Sequence, residues 1–371
     1  MRAASLELRL ELHERLWRGQ MWRPLLGFFL EAPQRRFAGP AYPSIDAHLS
    51  VRDVLAKYRA HAAWAASEPG DRVPSVAVTY GTPLLPALAG SGYRDDGHTA
   101  WAIPTGLSAE SLKVPRLDPD LPFWGGYADK VRALAESAPQ GVIVSTEPMA
   151  GPVEMLLGLL GPEQLLTDMF DAPEAVKARA AECLQLWKDV FDAGWELLGR
   201  PAGHVGFGVY LSGRSHLWSE DALALVGPRQ FGEFFRGPIA AVAAHLDTCL
   251  LHTHSAGLSS THMLSAIPEL DGVEISNDPN GPPLEAIVRL GVWLQGAGKA
   301  VMFSNWLRPL SEKQVDYILD CVDPARSFIT LTVRDEAEAA YYVDKVAKRF
   351  GRTAAGGHGA PAALDWPESQ G

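Results

Sequence analysis

Seven short runs of β-branched and aromatic residues recur along the chain, and a helical pattern lies between most of them. The runs occupy residues 75–80, 141–145, 204–211, 248–252, 272–276, 300–304 and 328–333, and the later helical patterns occupy 173–198, 228–246, 283–296, 311–322 and 335–350. Repeated strand–helix alternation predicts parallel strands joined by right-handed crossovers. The sequence therefore predicts an α/β fold, a (β/α)8 barrel of the TIM type. An open doubly wound sheet is the alternative.

The chain divides into three regions. Residues 1–70 carry helical spacing in two stretches and are expected to form an N-terminal helical extension. Residues 71–350 hold the strand–helix repeats and form the predicted barrel, whose eighth strand we expect somewhere within 83–130. Residues 351–371 are rich in Gly, Ala and Pro and are expected to be a disordered tail.

Composition narrows the class of protein. The formal net charge is −11, from 44 acidic and 33 basic residues, and this balance argues against nucleic acid as a partner. The 3 cysteines are widely spaced, which favours a reducing compartment. No run approaches the roughly 18 consecutive apolar residues of a membrane span, so we expect no membrane partner and a cytoplasmic protein.

The sharpest site signal is His252-x-His254 at the end of a predicted strand. Residues two apart on a strand point to the same face, so both imidazoles can face one divalent ion such as zinc. In a barrel, the C-terminal ends of the strands are where working residues lie. The alternative is a core histidine bonded to a backbone carbonyl beside a partly exposed neighbour.

Two carboxylates at other strand ends are candidate catalytic residues. Asp278 ends the next predicted strand and could orient a histidine or complete a ligand set, although residues 277–281 also read as a turn. Glu147 is an acid/base candidate if it is desolvated. Glu220 and Asp221 have the same chemistry but resemble the acidic start of a helix.

Four further residues are candidates for substrate binding. Arg214, in a Gly-flanked loop, could bind a substrate carboxylate through its guanidinium fork, and a surface salt bridge is its alternative. Tyr80 and Tyr210 could close such a pocket, or pack inside the barrel. Asn305 follows another predicted strand.

Several common catalytic motifs are missing from the sequence. No GxGxxG follows a predicted strand, and neither GxxxxGK[ST] nor GxSxG occurs. Nucleotide-driven chemistry and α/β-hydrolase chemistry therefore lack their usual signals.

The order of several motifs resembles the uroporphyrinogen-decarboxylase-like superfamily, which includes the decarboxylases themselves and corrinoid-dependent methyltransferases. The resemblance spans roughly residues 70–350. It rests on Asp71-Arg72-Val73-Pro74, Gly151-Pro152, the segments 160–166 and 171–176, Trp218-Ser219-Glu220-Asp221, the segment 227–231, and His252-x-His254. The resemblance implies a (β/α)8 barrel with N-terminal helical additions.

The chain departs from both branches of that superfamily. The decarboxylases carry an arginine-rich Gln-Ala-Gly-Arg stretch, for which Arg35-Arg36 is a faint substitute. The methyltransferases carry a zinc-binding His-x-Cys and a distant C-terminal cysteine. Here His252 matches the first position, His254 stands where that cysteine would be, and residues 330–332 contain no cysteine. The resemblance therefore implies a divergent branch.

The resulting hypothesis is an enzyme of this superfamily that acts on an anionic organic small molecule. Methyl transfer involving a corrinoid is favoured over decarboxylation, because a strand-end HxH fits a metal better than it fits porphyrinogen binding. The expected cofactors are zinc or another divalent metal, with a corrinoid as methyl carrier. A corrinoid protein is the expected partner, and a homodimer is consistent with the sequence. The alternatives are a metal-dependent hydrolase of the amidohydrolase type and a non-catalytic small-molecule-binding barrel.

Overall fold

The computed structural model describes residues 5–30, 45–67 and 70–351. Its strands are β1 (Leu25–Leu30), β2 (Ser75–Ala77), β3 (Gly92–Asp95), β4 (Ala100–Ile103), β5 (Ile143–Ser145), β6 (Met149–Ala150), β7 (Gly203–Gly206), β8 (Val209–Ser212), β9 (Ser215–Ser219), β10 (Thr248–His254), β11 (Gly272–Ser276), β12 (Ala300–Asn305) and β13 (Ser327–Val333). The predicted tail, apart from Gly351, and the pair Arg35-Arg36 lie outside the described residues.

The α-helices lie between groups of these strands. They are α1 (Leu6–Trp17), α2 (Val51–Ser67), α3 (Leu84–Leu88), α4 (Pro122–Ser137), α5 (Pro152–Leu160), α6 (Pro162–Asp171), α7 (Pro173–Leu197), α8 (Pro228–Gln230), α9 (Arg236–Ala243), α10 (Leu258–Thr261), α11 (Leu284–Gly296), α12 (Glu312–Cys321) and α13 (Glu336–Phe350). Ser311 begins α12 with a capping box, and Asp335 caps α13 through Glu338 N. Among the described residues, no helix is long and apolar enough to cross a membrane.

A seven-stranded parallel sheet forms the centre of the molecule. Its strand order is β1-β13-β12-β11-β10-β9-β6, and every neighbouring pair is parallel. The fold is therefore mixed α/β with a central parallel sheet, as the strand–helix alternation predicted. The described strands do not close this sheet by hydrogen bonds, because β1 and β6 are its edges and β2 pairs separately with β5.

The structure differs from the predicted strands in three places. Residues 204–211 were expected to form one strand but form the antiparallel hairpin β7–β8, and β9 is the strand that enters the sheet. Residues 83–130 hold a separate antiparallel hairpin, β3–β4, rather than an eighth sheet strand. Instead β1, within the region expected to be helical, pairs with β13. Its sequence, LLGFFL, has no polar alternation, because both faces of a parallel strand are covered.

One face of the sheet carries an apolar layer below the site. Leu217, Leu250, Met302 and Phe328 pack there with residues of α1, among them Leu16. Side chains two apart on a strand share a face, so His252 and His254 lie on the same face as Leu250, toward the C-terminal end of β10. The buried apolar layer thus supports the two histidines from below.

Asp71 fastens β1 to the chain that leads into β2. Its carboxylate accepts two bonds from the Arg23 guanidinium, at 2.7 and 2.8 Å, and one from Leu26 N at 2.8 Å. Its backbone N–H donates to Leu26 O at 2.6 Å, and its carbonyl contacts His13 Nε2 at 2.8 Å. This buried carboxylate therefore joins β1, α1 and the start of β2.

We expect Asp71→Ala to lower the free energy of unfolding by about 3 kcal/mol, because it leaves the partly buried Arg23 charge and the buried Leu26 N–H without their acceptor. The matched control is Asp129→Ala, which removes an exposed pair with Arg132 and is expected to cost less than about 0.5 kcal/mol. Urea unfolding of both variants measures the difference. Equal losses would show that the Asp71 contacts do not hold β1 in place.

Candidate functional site

The C-terminal ends of β9, β10 and β11 bring two histidines and three carboxylates together. His252 and His254 lie at the end of β10, Asp221 follows β9, Glu274 lies in β11, and Asp278 follows β11. The parallel register places His252 directly beside Glu274. We refer to Asp221, His252 and His254 as the His–Asp trio.

Each imidazole is held through its Nδ1 atom by a carboxylate of the neighbouring strand. His252 Nδ1 bonds to Glu274 Oε2, and His254 Nδ1 lies 2.7 Å from Asp278 Oδ1. Asp278 is itself fixed, because its Oδ2 accepts from the N–H and the hydroxyl of Ser255, both at 3.0 Å. Since Nδ1 is engaged, each ring presents Nε2 for another partner.

Both Nε2 atoms face the Asp221 carboxylate. His252 Nε2 lies 3.5 Å from Oδ1, and His254 Nε2 lies 3.6 Å from Oδ2. Within residues 5–30, 45–67 and 70–351, the His–Asp trio is the one group of three metal-ligating side chains whose donor atoms all lie within 4.8 Å of one another.

The donor chemistry of the trio fits a divalent transition-metal ion. Two imidazole nitrogens and one carboxylate oxygen form the ligand set of many catalytic zinc sites and of non-haem iron sites that keep positions open. Metal-ligating histidines almost always have their other ring nitrogen bonded to a carboxylate, carbonyl or water. Both His252 and His254 meet that condition here.

The contacts within the trio set its charges. The Asp221 carboxylate, 3.6 Å from Nε2, raises the pKa of His254 to about 10, and Asp278 adds to the effect. Burial opposes a charge on His252, but Glu274 outweighs it, and the pKa of His252 is raised. Burial likewise opposes a charge on Asp221, yet the imidazoles hold the pKa of this carboxyl below its ordinary value. At neutral pH the trio is therefore an ion cluster built around His254 imidazolium and Asp221 carboxylate.

Two buried carboxyls fix the turn that carries Asp221. Glu220 Oε2 accepts from Glu154 N at 2.9 Å, and Glu154 Oε2 accepts from Ala222 N at 2.7 Å. Gly151 leaves the space for Glu220, because a Cβ at residue 151 would overlap its carboxylate. Burial raises the pKa of Glu154 to about 8 and raises the pKa of Glu220 well above its ordinary value. These two groups can therefore lie beside the trio while largely uncharged.

The overall fold is similar to that of two solved structures. A methyltransferase from Methanosarcina mazei matches with a TM-score of 0.56 and 11% sequence identity, covering 92% of this chain and 99% of that one. A B12-independent methionine synthase from Shewanella sp. W3-18-1 matches with a TM-score of 0.50 and 10% identity, covering 89% of this chain and 98% of that one. No protein-family model and no curated protein matches the sequence.

The chain shares the fold of these two enzymes. The resemblance to the uroporphyrinogen-decarboxylase-like superfamily, predicted from the order of motifs, is thereby confirmed for the fold.

Glu147 and Tyr80, two of the predicted site residues, lie together beyond the ends of β2 and β5. Glu147 Oε2 accepts from the backbone N–H groups of Tyr80 and Gly81, at 2.8 and 2.7 Å. The Tyr80 hydroxyl accepts from Lys130 Nζ at 2.8 Å. Burial raises the pKa of Glu147 well above its ordinary value. These contacts fix the chain after β2, and the catalytic and substrate-binding roles of both residues stay predictions.

Asn305 lies at the C-terminal end of β12, on the same edge of the sheet as the trio, and is buried. Its Oδ1 accepts from Asn277 Nδ2 at 2.8 Å, and its Nδ2 donates to Thr330 O at 3.1 Å. The side chain thus ties the end of β12 to the chain after β11 and to the middle of β13.

The structure does not bring Arg214 or Tyr210 to the trio. Arg214 precedes β9, at the N-terminal end of that strand, and pairs with Asp192 and His245. Tyr210 lies on β8, where its backbone N–H donates to His13 of α1 at 3.2 Å. Both predictions followed from taking 204–211 as a sheet strand, because residues after it would then lie at the C-terminal edge.

Glu274 and Glu154 are site residues that the sequence did not indicate, and Asp221 is one for which a helix start was the preferred interpretation. Asp221 was interpreted as part of a helix start, because the preceding strand had been placed too early. Glu274 carried a usable signal: a glutamate inside the buried run GVEIS needs a charged or hydrogen-bonding partner. Glu154 in the first turn of α5 is an ordinary position for an acidic residue and gave no such signal.

In metal-free protein we expect the His254 ring to titrate near pH 10, because carboxylates face both of its nitrogens. The pKa of His254 is higher in the folded protein than in the unfolded chain, where it is about 6.5. Protonation of His254 therefore stabilises the fold fully below about pH 6.5, and this stabilisation is lost as the pH rises through the pKa of the folded state. NMR titration of histidine-labelled protein measures the value, and Asp278→Asn should lower it. Titration near pH 6.5 in the wild type would contradict the ion cluster.

Proposed function

We propose that this chain is a metal-dependent methyltransferase of the uroporphyrinogen-decarboxylase-like superfamily, with the His–Asp trio as its metal site. The observation that carries the proposal is the convergence of His252 Nε2, His254 Nε2 and the Asp221 carboxylate within 4.8 Å. They lie at the C-terminal edge of the parallel sheet, where barrel enzymes hold their active sites. The two structurally similar enzymes, a methyltransferase and a methionine synthase, support methyl transfer as the reaction class.

We further infer a (β/α)8 barrel in which β1 takes the place expected for the eighth strand. The chain before β2 lies against β1, since Asp71 N donates to Leu26 O. Strand β2 pairs with β5, and β5 leads within a few residues into β6, which pairs with β9. The series β1, β2, β5–β6, β9, β10, β11, β12 and β13 then supplies the eight strands that such a barrel requires.

The trio and the carboxylates beside it would hold the metal ion and set its chemistry. A bound divalent ion would supply Lewis acidity that lowers the pKa of an acceptor thiol. Glu274 and Asp278 hold the two imidazoles in the orientation that presents Nε2 to the ion. His254 must give up its Nε2 proton when a metal binds, because its pKa of about 10 keeps the ring protonated in the metal-free protein.

The proposed reaction moves a methyl group to the sulfur of a small anionic thiol. The thiol loses its proton, the sulfur electron pair forms the new S–C bond, and the donor keeps the pair of the bond that breaks. A methylated corrinoid carried by a partner protein is the proposed donor. One of the two similar structures is named as a B12-independent enzyme, so a methyl donor without a corrinoid is the alternative donor. Decarboxylation of a porphyrinogen is the remaining reaction within the superfamily.

Hydrolysis is the second candidate function, and the donor set of the site favours it. The trio offers nitrogen and oxygen only, and Cys249, at the start of β10, is buried near Asp271 instead. Zinc held by two histidines and a carboxylate activates water in metalloproteases. The same site would then generate a nucleophilic hydroxide rather than hold a thiol.

We expect the purified wild type to carry close to one zinc, cobalt or iron ion per chain when it is supplied with the metal. His252→Ala, His254→Ala and Asp221→Ala should each weaken binding by about tenfold or more, since each removes one of three ligands. Elemental analysis after dialysis against a weak chelator measures the content. His48→Ala is the control, because His48 is exposed and pairs with Asp95 outside the trio.

Binding should also release at least one proton per metal at pH 8, because His254 is protonated beforehand. Calorimetry in buffers of different ionisation enthalpy detects that proton. A wild type that stays free of metal after supplementation would contradict the metal site.

The reaction class is tested with metal-loaded protein, methylcobalamin and 3-mercaptopropionate. We expect an S-methyl product by mass spectrometry, together with loss of the methylcobalamin absorbance, and Asp221→Ala should abolish both. Parallel incubations with uroporphyrinogen and with ester and lactone substrates test decarboxylation and hydrolysis. Turnover in one of those incubations and none with the thiol would replace methyl transfer by that reaction.

A further inference from the structure

Phe207 is held in a strained backbone conformation next to the His–Asp trio. The hairpin β7–β8 pairs Gly206 with Val209 and turns through Phe207 and Gly208, whose φ angles are 52° and 83°. Positive φ at both turn positions is the signature of a type I′ turn, which favours Asn or Gly at the first position. A bulky aromatic residue in this region is an outlier, and such outliers cluster at functional sites.

The backbone on either side of Phe207 is closely packed. A Cβ at residue 206 would lie 2.7 Å from Leu217, and a Cβ at residue 208 would lie 2.5 Å from Arg72 Nε, so glycine is required on both sides of the ring. Gly208 O also accepts from Val73 N at 2.9 Å. The tip of the hairpin is therefore fixed between β9 and the chain that enters β2.

The ring of Phe207 meets the trio directly. Its centroid lies 5.5 Å from that of the His252 imidazole, with an interplanar angle of 76°. Phe207 nevertheless stays 40% exposed, whereas both strands of its hairpin are buried for most of their length. The hairpin thus presents an accessible aromatic surface beside His252 instead of packing the ring into the core.

We propose that Phe207 is a specificity-determining contact, which binds the apolar part of a substrate whose reacting atom sits at the trio. This inference rests on the proposed metal site and adds a property of the substrate: an apolar group adjoins the atom that binds the metal. The turn accepts a strained phenylalanine because the exposed ring contributes to ligand binding. A ring kept only for packing would be buried, and a turn kept only for folding would carry Asn-Gly.

The test separates the turn from the ring. Phe207→Asn creates the preferred turn residue and removes the aromatic surface, while Phe207→Leu keeps an apolar side chain in the strained turn. We expect Phe207→Asn to raise Tm by about 1–3 °C, because the strain is relieved, and Phe207→Leu to leave Tm unchanged or lower.

Ligand binding is measured with cobalt-loaded protein through the sulfur-to-cobalt charge-transfer band. We expect 2-phenylethanethiol to bind the wild type more tightly than 2-mercaptoethanol. Phe207→Asn should weaken binding of the aromatic thiol by about tenfold or more and binding of the polar thiol by less than about twofold. Phe207→Leu should keep most of the preference for the aromatic thiol. Cobalt affinity should be the same in all three proteins.

The outcomes distinguish this inference from the metal site beneath it. An identical thiol preference in all three cobalt-loaded proteins, or a fall in Tm for Phe207→Asn, would overturn the role of Phe207 while leaving the metal site standing. A wild type without a cobalt spectrum would contradict the metal site and this inference together.

Discussion

The geometry of the site depends on the register between β10 and β11. That register sets Glu274 beside His252, and the chain that follows β11 sets Asp278 beside His254. Charged groups at this depth are stable only when they are paired. Because each carboxylate engages Nδ1, both Nε2 atoms face the same way and meet Asp221. A one-residue slip of β11 would turn Glu274 to the other face of the sheet and free the His252 ring.

The apolar layer on the face of the sheet below the site helps to keep these strand ends in place. The layer around Leu250 and Phe328 is apolar and packs on α1, so the polar residues gather toward the C-terminal edge. Above that layer, the Glu220 carboxylate accepts from the backbone N–H of Glu154, and the Glu154 carboxylate accepts from that of Ala222, so the residues before and after Asp221 are held in place. Because burial keeps the pKa of both carboxyls high, they can support the trio without adding full negative charge to it.

Periodicity predicted the parts of the fold that repeat regularly. The strands β10 to β13 and the helices α11, α12 and α13 follow the sequence pattern, because each strand is a short apolar run bounded by turn residues. The pattern failed where the chain reverses within one apolar run. Phe207 at a turn position is not a turn residue by propensity, so 204–211 looked like a single strand. As a result, Asp221 was not recognised as following a sheet strand, and Arg214 was expected at the C-terminal edge of the sheet although it lies at the N-terminal end of β9. The strand β1 was not predicted, because a short continuous apolar run can form either a helix or a strand.

We propose that His252, His254 and Asp221 bind one metal ion through nitrogen and oxygen atoms alone. X-ray absorption spectroscopy of the zinc-loaded protein tests it most directly, since it reports the elements and distances around the ion. We expect a shell of nitrogen and oxygen donors at about 2.0–2.1 Å with the scattering of two imidazoles and no sulfur. A sulfur shell at about 2.3 Å, or a spectrum unchanged when both histidines are replaced by Ala, would contradict it.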